Sequence, residues 1–495
     1  MESAITYIPL VIKLFTPTYI LALKIFAGLC IVLSGLTMYN FAKNITKDSI
    51  IALFSAILYL IAPYKLGDIY RRYAMGEFGA FIFTPILFSG IYNLLNQDGK
   101  KNYLIAIGAI GLLLTHTLTT FYIAIFSVCY VLFHLIKLRD KQIIKKLIIN
   151  VIFIVLISFF FIIPMLEAKF SAEYGIFDNE MMLTNGTYVY SNTLSFNRLF
   201  FEGVYNYFDT VFSLGIPSII LFVLSVVTYF YVDKKYKKCY TIFLVFSIVS
   251  VYMSTKYCLW AIFPEFLCKL QYPWRMLGFY NFFCSFVGGV NMAILLKVME
   301  RKKIAKFTIA YLSIVVMIIY TIPIVTQFKT KSPYFDQSYE QAIINSAGTQ
   351  YVNIPKEYLP VKAYLLNDTY LKEKNYNKIY ILKGNAEIIK EEKKGLSMIA
   401  NIGNIEEDTI LEFPFLYYPG YEISITKLNE NKELNKKCIE TDHGFTGIQF
   451  KEKIDKAQIK IEFKSTIITK ISYFISFIAL IVFIFYIIQQ KRNVK

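Results

Sequence analysis

Four charged residues fall within ten positions in the stretch LGDIYRRYAMGEFG, residues 66–79: Asp68, Arg71, Arg72 and Glu77. Their neighbours are apolar or aromatic. Charges in such surroundings must face water, one another or a ligand. Asp68 stands three residues before Arg71 and four before Arg72, so on a helix either arginine can approach it. The two arginines diverge by about a quarter turn, so one pairs and the other is left to seek an anion. Gly76 interrupts the pattern. Glu77 then opens the next helix, where a carboxylate suits the positive end of the dipole. The plainer reading has the arginines on lipid phosphates and Glu77 as a cap. The chemical reading is a site for a phosphate-bearing lipid or sugar. There arginine clamps phosphate, and Glu77 or Asp68 acts as acid, base or ligand to a divalent cation.

Three further stretches belong to the same chemistry. His116 lies among threonines in LTHTLTT, where it can donate to phosphate or relay a proton, or be a satisfied buried histidine. QYPWRML, 271–277, places Arg275 at a helix start, which is unfavourable for the dipole. An acidic residue such as Glu265 or a bound anion must offset it. Tyr272 and Trp274 suit either an interfacial aromatic belt or a sugar-stacking surface. FPFLYYPGYEI, 413–423, carries Tyr417, Tyr418 and Tyr421 around a Pro-Gly turn, as a packed sheet face or a sugar contact.

The elements that position these residues are membrane spans. The chain has 495 residues, 56% hydrophobic and only 18% charged, below the roughly 25% usual for soluble domains. Apolar runs long enough to cross about 30 Å of hydrocarbon recur. They predict eleven spans, near 18–41, 49–64, 77–95, two within 103–136, 147–166, 211–232, 240–256, 275–296, 307–326 and 470–489. Residues 1–17 read as interfacial or re-entrant. The net charge of +17 does not point to nucleic acid. The connecting loops on one side of the predicted spans hold 21 Lys and Arg, and loops 65–76, 167–210 and 256–274 on the other side hold seven. The positive-inside rule puts the basic set in the cytoplasm of a plasma-membrane protein. The N-terminus and the large 327–469 region are then external, and the C-terminus cytoplasmic. Residues 327–469 alternate as half-buried strands (KIYILKG, LSMIANI, TILEFP, YEISITKL, GIQFKE, AQIKIEFK). They predict six to eight strands in a β-sandwich or jelly roll. The expected domains are a transmembrane core over 1–326, this β-rich domain over 327–469, and a final helix with a basic tail over 470–495. Seven scattered cysteines and three histidines show no metal-ligand spacing. Cys258 and Cys268 are close enough in sequence to meet in one loop.

APYKLGDIYRRYAMGEFGAFIFTPILF, LLLTHT, QYPWRML, KEYLP and LYYPGYE occur in this order. Together they resemble the bacterial membrane proteins labelled 6-pyruvoyl-tetrahydropterin synthase-related, close to YfhO-like proteins, and through them the GT-C glycosyltransferase superfamily. The resemblance covers nearly all of the chain. It implies a GT-C-like helical core that takes a polyprenyl-phosphate-linked sugar or another anionic lipid. An external cell-envelope glycan or lipid would be the acceptor. The substrate-contact set is then Arg71, Arg72, His116, Tyr272, Trp274, Arg275 and Glu357 of KEYLP, with Glu77 and Asp68 as the catalytic carboxylates. Pterin chemistry is not implied, because it needs a zinc-binding histidine cluster. Such families begin with a helix and an external loop bearing an acidic catalytic residue. YIPLVIKLF looks like the end of that loop, so the chain is expected to be truncated, inactive, or reliant on Asp68 and Glu77. A non-catalytic lipid or glycan export factor, or a flippase, is the competing reading.

Overall fold

A computed structural model describes residues 4–171, 173–174, 189, 192–202, 212–268, 272–301, 308, 311–316, 318–319, 321–322, 359–366, 374–428 and 432–492. The chain divides into two compact units. One comprises 1–158, 185–340 and 476–495, and the other 159–184 and 341–475.

The helices are α1 (Tyr7–Lys13), α2 (Tyr19–Thr46), α3 (Ser49–Ile61), α4 (Pro63–Gly67), α5 (Met75–Asn96), α6 (Leu104–Thr115), α7 (Thr117–Leu132), α8 (Lys141–Ile157), α9 (Phe159–Ser171), α10 (Ile216–Val223), α11 (Lys234–Ser254), α12 (Met276–Arg301) and α13 (Ile467–Arg492). Five segments among the described residues are long and apolar enough to cross a membrane: 19–46, 75–96, 234–254, 273–299 and 467–492. Counting the bent pairs α3 with Pro63–Arg72, and α8 with α9, as single spans raises this to seven. This is a multi-pass helical protein with a separate small antiparallel β unit. Of the expected span at 307–326, residues 308, 311–316, 318–319 and 321–322 are described, and all of them are helical. The run 211–232 is divided among α10, a one-turn helix Ser225–Thr228 and a 3-10 turn Tyr229–Tyr231.

In the helical unit, hydrogen-bonded caps set helix starts. Thr18 accepts from Leu21 N, and Asp48 accepts from Ile50 N and Ile51 N. The core is aromatic: Phe88 lies 5.2 Å from Phe282, and Phe243 lies 5.0 Å from Phe283, between ring centroids. Helices α5 and α6 touch through small residues. A Cβ on Gly90 would sit 2.3 Å from Ile105 N, and one on Gly108 would sit 2.4 Å from Leu87 N. Only glycine permits that approach, as is common between membrane helices. Asn291 is a buried polar hub. It accepts from Thr228 and Tyr240 and donates to Leu221 O and Ser225.

In the other unit the strands are β1 (Tyr380–Lys383), β2 (Glu387–Lys394), β3 (Ser397–Ile405), β4 (Ile410–Leu416), β5 (Tyr421–Lys427), β6 (Lys432–Lys436), β7 (Ile439–Glu440), β8 (Phe445–Gln449) and β9 (Ile454–Phe463). They form two antiparallel sheets, ordered β1-β4-β8-β7 and β2-β3-β9-β5-β6. Alternation drives burial: Ala457, Ile459 and Ile461 of β9 point inward with Ile423 and Ile425 of β5. This unit differs from the expected 327–469 by taking in 159–184. Val361 N donates to Glu173 O at 2.9 Å, and the Tyr174 ring stacks on Tyr418 at 5.9 Å. Glu167 accepts from the hydroxyls of Thr466 and Thr469 at 2.7 and 3.0 Å. Tyr421 packs on Phe415 and Phe463. Tyr418 and Tyr421 are thus packing residues.

Candidate functional site

The candidate site is built on a widened helical turn. Pro63 starts α4, and from Asp68 the helix loosens into a π-helical turn, Asp68–Arg72. Tyr73 ends it in the left-handed region, with φ +48 and ψ +44. π-Helical turns are rare and concentrate at functional sites, and a left-handed tyrosine carries backbone strain. The Tyr73 hydroxyl holds the turn by donating to Leu23 O at 2.8 Å. Helix α5 then begins at Met75. Its Gly76 is pressed against the α6–α7 break, where a Cβ would sit 2.6 Å from Thr115 O. Glu77 is thereby brought beside His116.

Arg72 is the arginine that reaches Asp68, as the spacing allowed. It also reaches Glu77, with Nη1 3.1 Å from Oε2, and donates to the Tyr64 hydroxyl at 3.3 Å. Tyr64 in turn donates to Glu77 Oε1. Arg71 is half-buried. Asp68 is 0% exposed and Glu77 4%, whereas the Arg72 side chain keeps 23%. Asp68 and Arg72 thus form an ion pair whose carboxylate is fully buried. In this state Arg72 is neutralised by two buried carboxylates. Glu77 is more than a helix cap, because its carboxylate belongs to this network. Asp68 is incompletely satisfied: its Oδ2 accepts no hydrogen bond among the described residues.

A second layer closes over Arg72. Its guanidinium lies 4.4 Å from the Trp274 ring centre, within cation–π range. Trp274 stacks on Tyr272 at 4.9 Å and packs against Phe212 at 4.9 Å. The Arg275 guanidinium packs over Tyr272 at 5.0 Å and Trp274 at 5.8 Å. These residues come from the one-turn 3-10 helix Pro273–Arg275 and the residue before it. Arg275 and His116 both act electrostatically on Glu77. Arg275 acts on Asp68 as well as Glu77, both distant in sequence, and the Glu265 side chain lies outside the described residues. His116 accepts the Thr119 amide at 3.3 Å through Nδ1, which lies 2.7 Å from the Thr119 hydroxyl. With Nδ1 accepting, the ring proton is assigned to Nε2.

Asp68, Arg72, Glu77, His116, Tyr272, Trp274 and Arg275 are thus neighbours in one site. Glu357 lies outside the described residues. Sequence reasoning missed Tyr64, which bridges Glu77 and Arg72, and Lys65. Lys65 is 1% exposed, donates to Ser34 Oγ at 2.6 Å and sits 4.1 Å from the Tyr59 ring centre. A Tyr-Lys pair directly ahead of Asp68 was the available signal. No group of three or more His, Cys, Asp or Glu among the described residues could hold a metal. Both carboxylates here already face Arg72, so the donor set does not form a cation site in this state. Cys258 and Cys268 are free thiols.

No family model matches the chain. Among curated proteins it is similar to an uncharacterized protein of Lactococcus lactis subsp. cremoris (strain MG1363), 24% identical over an alignment spanning 90% of this chain and 77% of that protein. No solved structure matches it.

Proposed function

We propose that this protein is a membrane-embedded glycosyltransferase-like enzyme of GT-C type. It transfers a sugar from a polyprenyl-phosphate-linked donor to an acceptor in the cell envelope. One observation supports the reading: arginine, paired carboxylates, histidine and stacked aromatic rings converge from three separate chain segments, 68–77, 116 and 272–275, on one site. Arg275 and Arg72 hold the donor phosphate and stabilise it as it leaves with the bond electrons. Tyr272 and Trp274 stack on the sugar face. Glu77, oriented by Tyr64, takes the proton from the acceptor hydroxyl as it attacks the anomeric carbon.

The network gives that mechanism an order. An incoming phosphate competes with Asp68 and Glu77 for Arg72, which releases Glu77 from its counter-ion to act as base. The proposal places the site on the external face, with eleven spans, an external N-terminus and a cytoplasmic C-terminus. Purified full-length protein, given polyprenyl-phosphate sugars, should release free polyprenyl phosphate, and Glu77→Gln should abolish release at unchanged protein level. Unchanged release in the variant removes Glu77 from the mechanism.

The second reading, a non-catalytic lipid or glycan exporter, draws on Lys65 and Asn291. Polar groups at depth on several helices are typical of transport paths. It expects donor binding to the wild-type chain with no released polyprenyl phosphate.

A further inference from the structure

Away from the candidate site, the end of α7 and the start of α11 enclose a cavity of about 310 Å³. Phe133, Ile242 and Val245 form its apolar wall, and Lys237, Lys238 and Thr241 complete the lining. Phe133 is 54% exposed and Val245 42%. Both belong to the apolar belt that faces lipid in a multi-pass protein. The rim is strongly basic. Lys234, Lys235, Lys237 and Lys238 crowd the first two turns of α11, whose first turn holds no acidic residue. Cations at a helix N-terminus oppose the dipole, so the bare arrangement is electrostatically unfavourable.

Neighbouring groups deepen the field. Lys137 and Lys238 both act on His134, and Lys101 and Lys235 both act on Lys47. Asp233, which caps the helix by accepting from Lys235 N, and Asp48, which acts on Tyr236, offset part of this field, but four lysines outnumber them. Lys237 is steadied by the Tyr229 ring, 4.5 Å away. The wall thus matches a hydrocarbon chain and the rim matches a negative headgroup.

We infer that this groove is a binding site for an anionic phospholipid, with an acyl chain along Phe133, Ile242 and Val245 and the headgroup phosphate on Lys237 and Lys238. Its occupant offsets the charge that α11 concentrates at its start. Basic pockets between membrane helices recognise such headgroups through this combination.

Native mass spectrometry of the detergent-solubilised full chain tests it, with phosphatidylglycerol and phosphatidylcholine of identical acyl chains as probes. Retained phosphatidylglycerol should exceed phosphatidylcholine about tenfold. The double variant Lys237→Gln with Lys238→Gln should remove that preference. Val245→Trp, which fills the groove and keeps every lysine, should reduce phosphatidylglycerol retention by a similar factor. Equal retention of both lipids by the wild type overturns the inference. So does phosphatidylglycerol preference that survives the double lysine variant, or phosphatidylglycerol retention that Val245→Trp leaves unchanged. Unchanged thermal unfolding of the variants confirms that loss of lipid is not loss of fold.

Discussion

Two buried cation–carboxylate clusters can be compared, one in each unit. In the β unit, Lys374 meets Glu412 Oε1 at 2.5 Å with both side chains at most 1% exposed. Glu412 Oε2 accepts from Thr441 at 2.6 Å and lies 3.1 Å from His443 Nδ1. The Lys374 ammonium also lies 4.1 and 4.4 Å from the Tyr380 and Phe445 ring centres. One cation serves one carboxylate, and both oxygens are bonded. In the helical unit, Arg72 contacts both Asp68 and Glu77, Arg275 acts electrostatically on both carboxylates, Asp68 Oδ2 accepts no hydrogen bond among the described residues, and the backbone beneath is a π-helical turn ended by a left-handed tyrosine. A satisfied cluster specifies a fold. A cluster with two carboxylates on one arginine, an acceptor without a hydrogen bond among the described residues and a left-handed tyrosine beside it has the strain that concentrates at functional sites.

The largest stability effect should come from the satisfied cluster. Glu412→Ala strands a buried ammonium and should cost about 3–5 kcal/mol, read as a fall in the β unit's resistance to proteolysis in the intact protein. Burial holds the Lys374 ammonium below the ordinary lysine range, partly opposed by Glu412, so removing Glu412 leaves only the unfavourable contribution. Asp68→Asn should cost less, about 1–2 kcal/mol, because one of its two oxygens accepts no hydrogen bond among the described residues and Glu77 still faces Arg72. The same substitution should nevertheless reduce sugar transfer at least tenfold. Equal destabilisation by the two substitutions would erase the contrast between the clusters. Trp274→Leu removes the ring over Arg72 and should cost about 0.5–2 kcal/mol of the interaction, seen as weaker donor binding with little change in unfolding temperature.

The smallest expected effect concerns Cys438 in the β unit. Burial pushes its thiol up to about 11. The raised value favours the neutral thiol in the fold, a contribution complete below the ordinary 9.0 and lost as pH rises through about 11. At pH 8 iodoacetamide should label Cys438 far more slowly in the folded protein than after denaturation. Equal rates would show that this part of the sheet is open.

Much of this contrast was legible in residue order. The Asp68–Arg72 spacing follows from helical periodicity, the His116 break from the polar run LTHTLTT, and six of the strands from period-two alternation. Arg72 pairing with Glu77 was not legible, because it requires the turn to widen, and no residue type announces a π-helical turn. Trp274 over Arg72 joins segments far apart in the chain. Nothing in the sequence marks Lys65, Lys374 and Glu412 as buried, because composition carries no information on burial. β2, EIIKEEKK, was hidden for the opposite reason. As the outer strand beside β3, its many charges face solvent and mask the alternation. The β unit's claim on 159–184 rests on main-chain and tyrosine contacts that no motif marks.

The central claim is that the Asp68–Arg72–Glu77 network is a resting catalytic site. The most direct test is donor turnover by purified full-length protein with polyprenyl-phosphate sugars. Glu77→Gln should bind donor at least as tightly as wild type, because one competitor for Arg72 is gone, and only wild type should release polyprenyl phosphate. Binding by both with release by neither, or equal release by both, would contradict it.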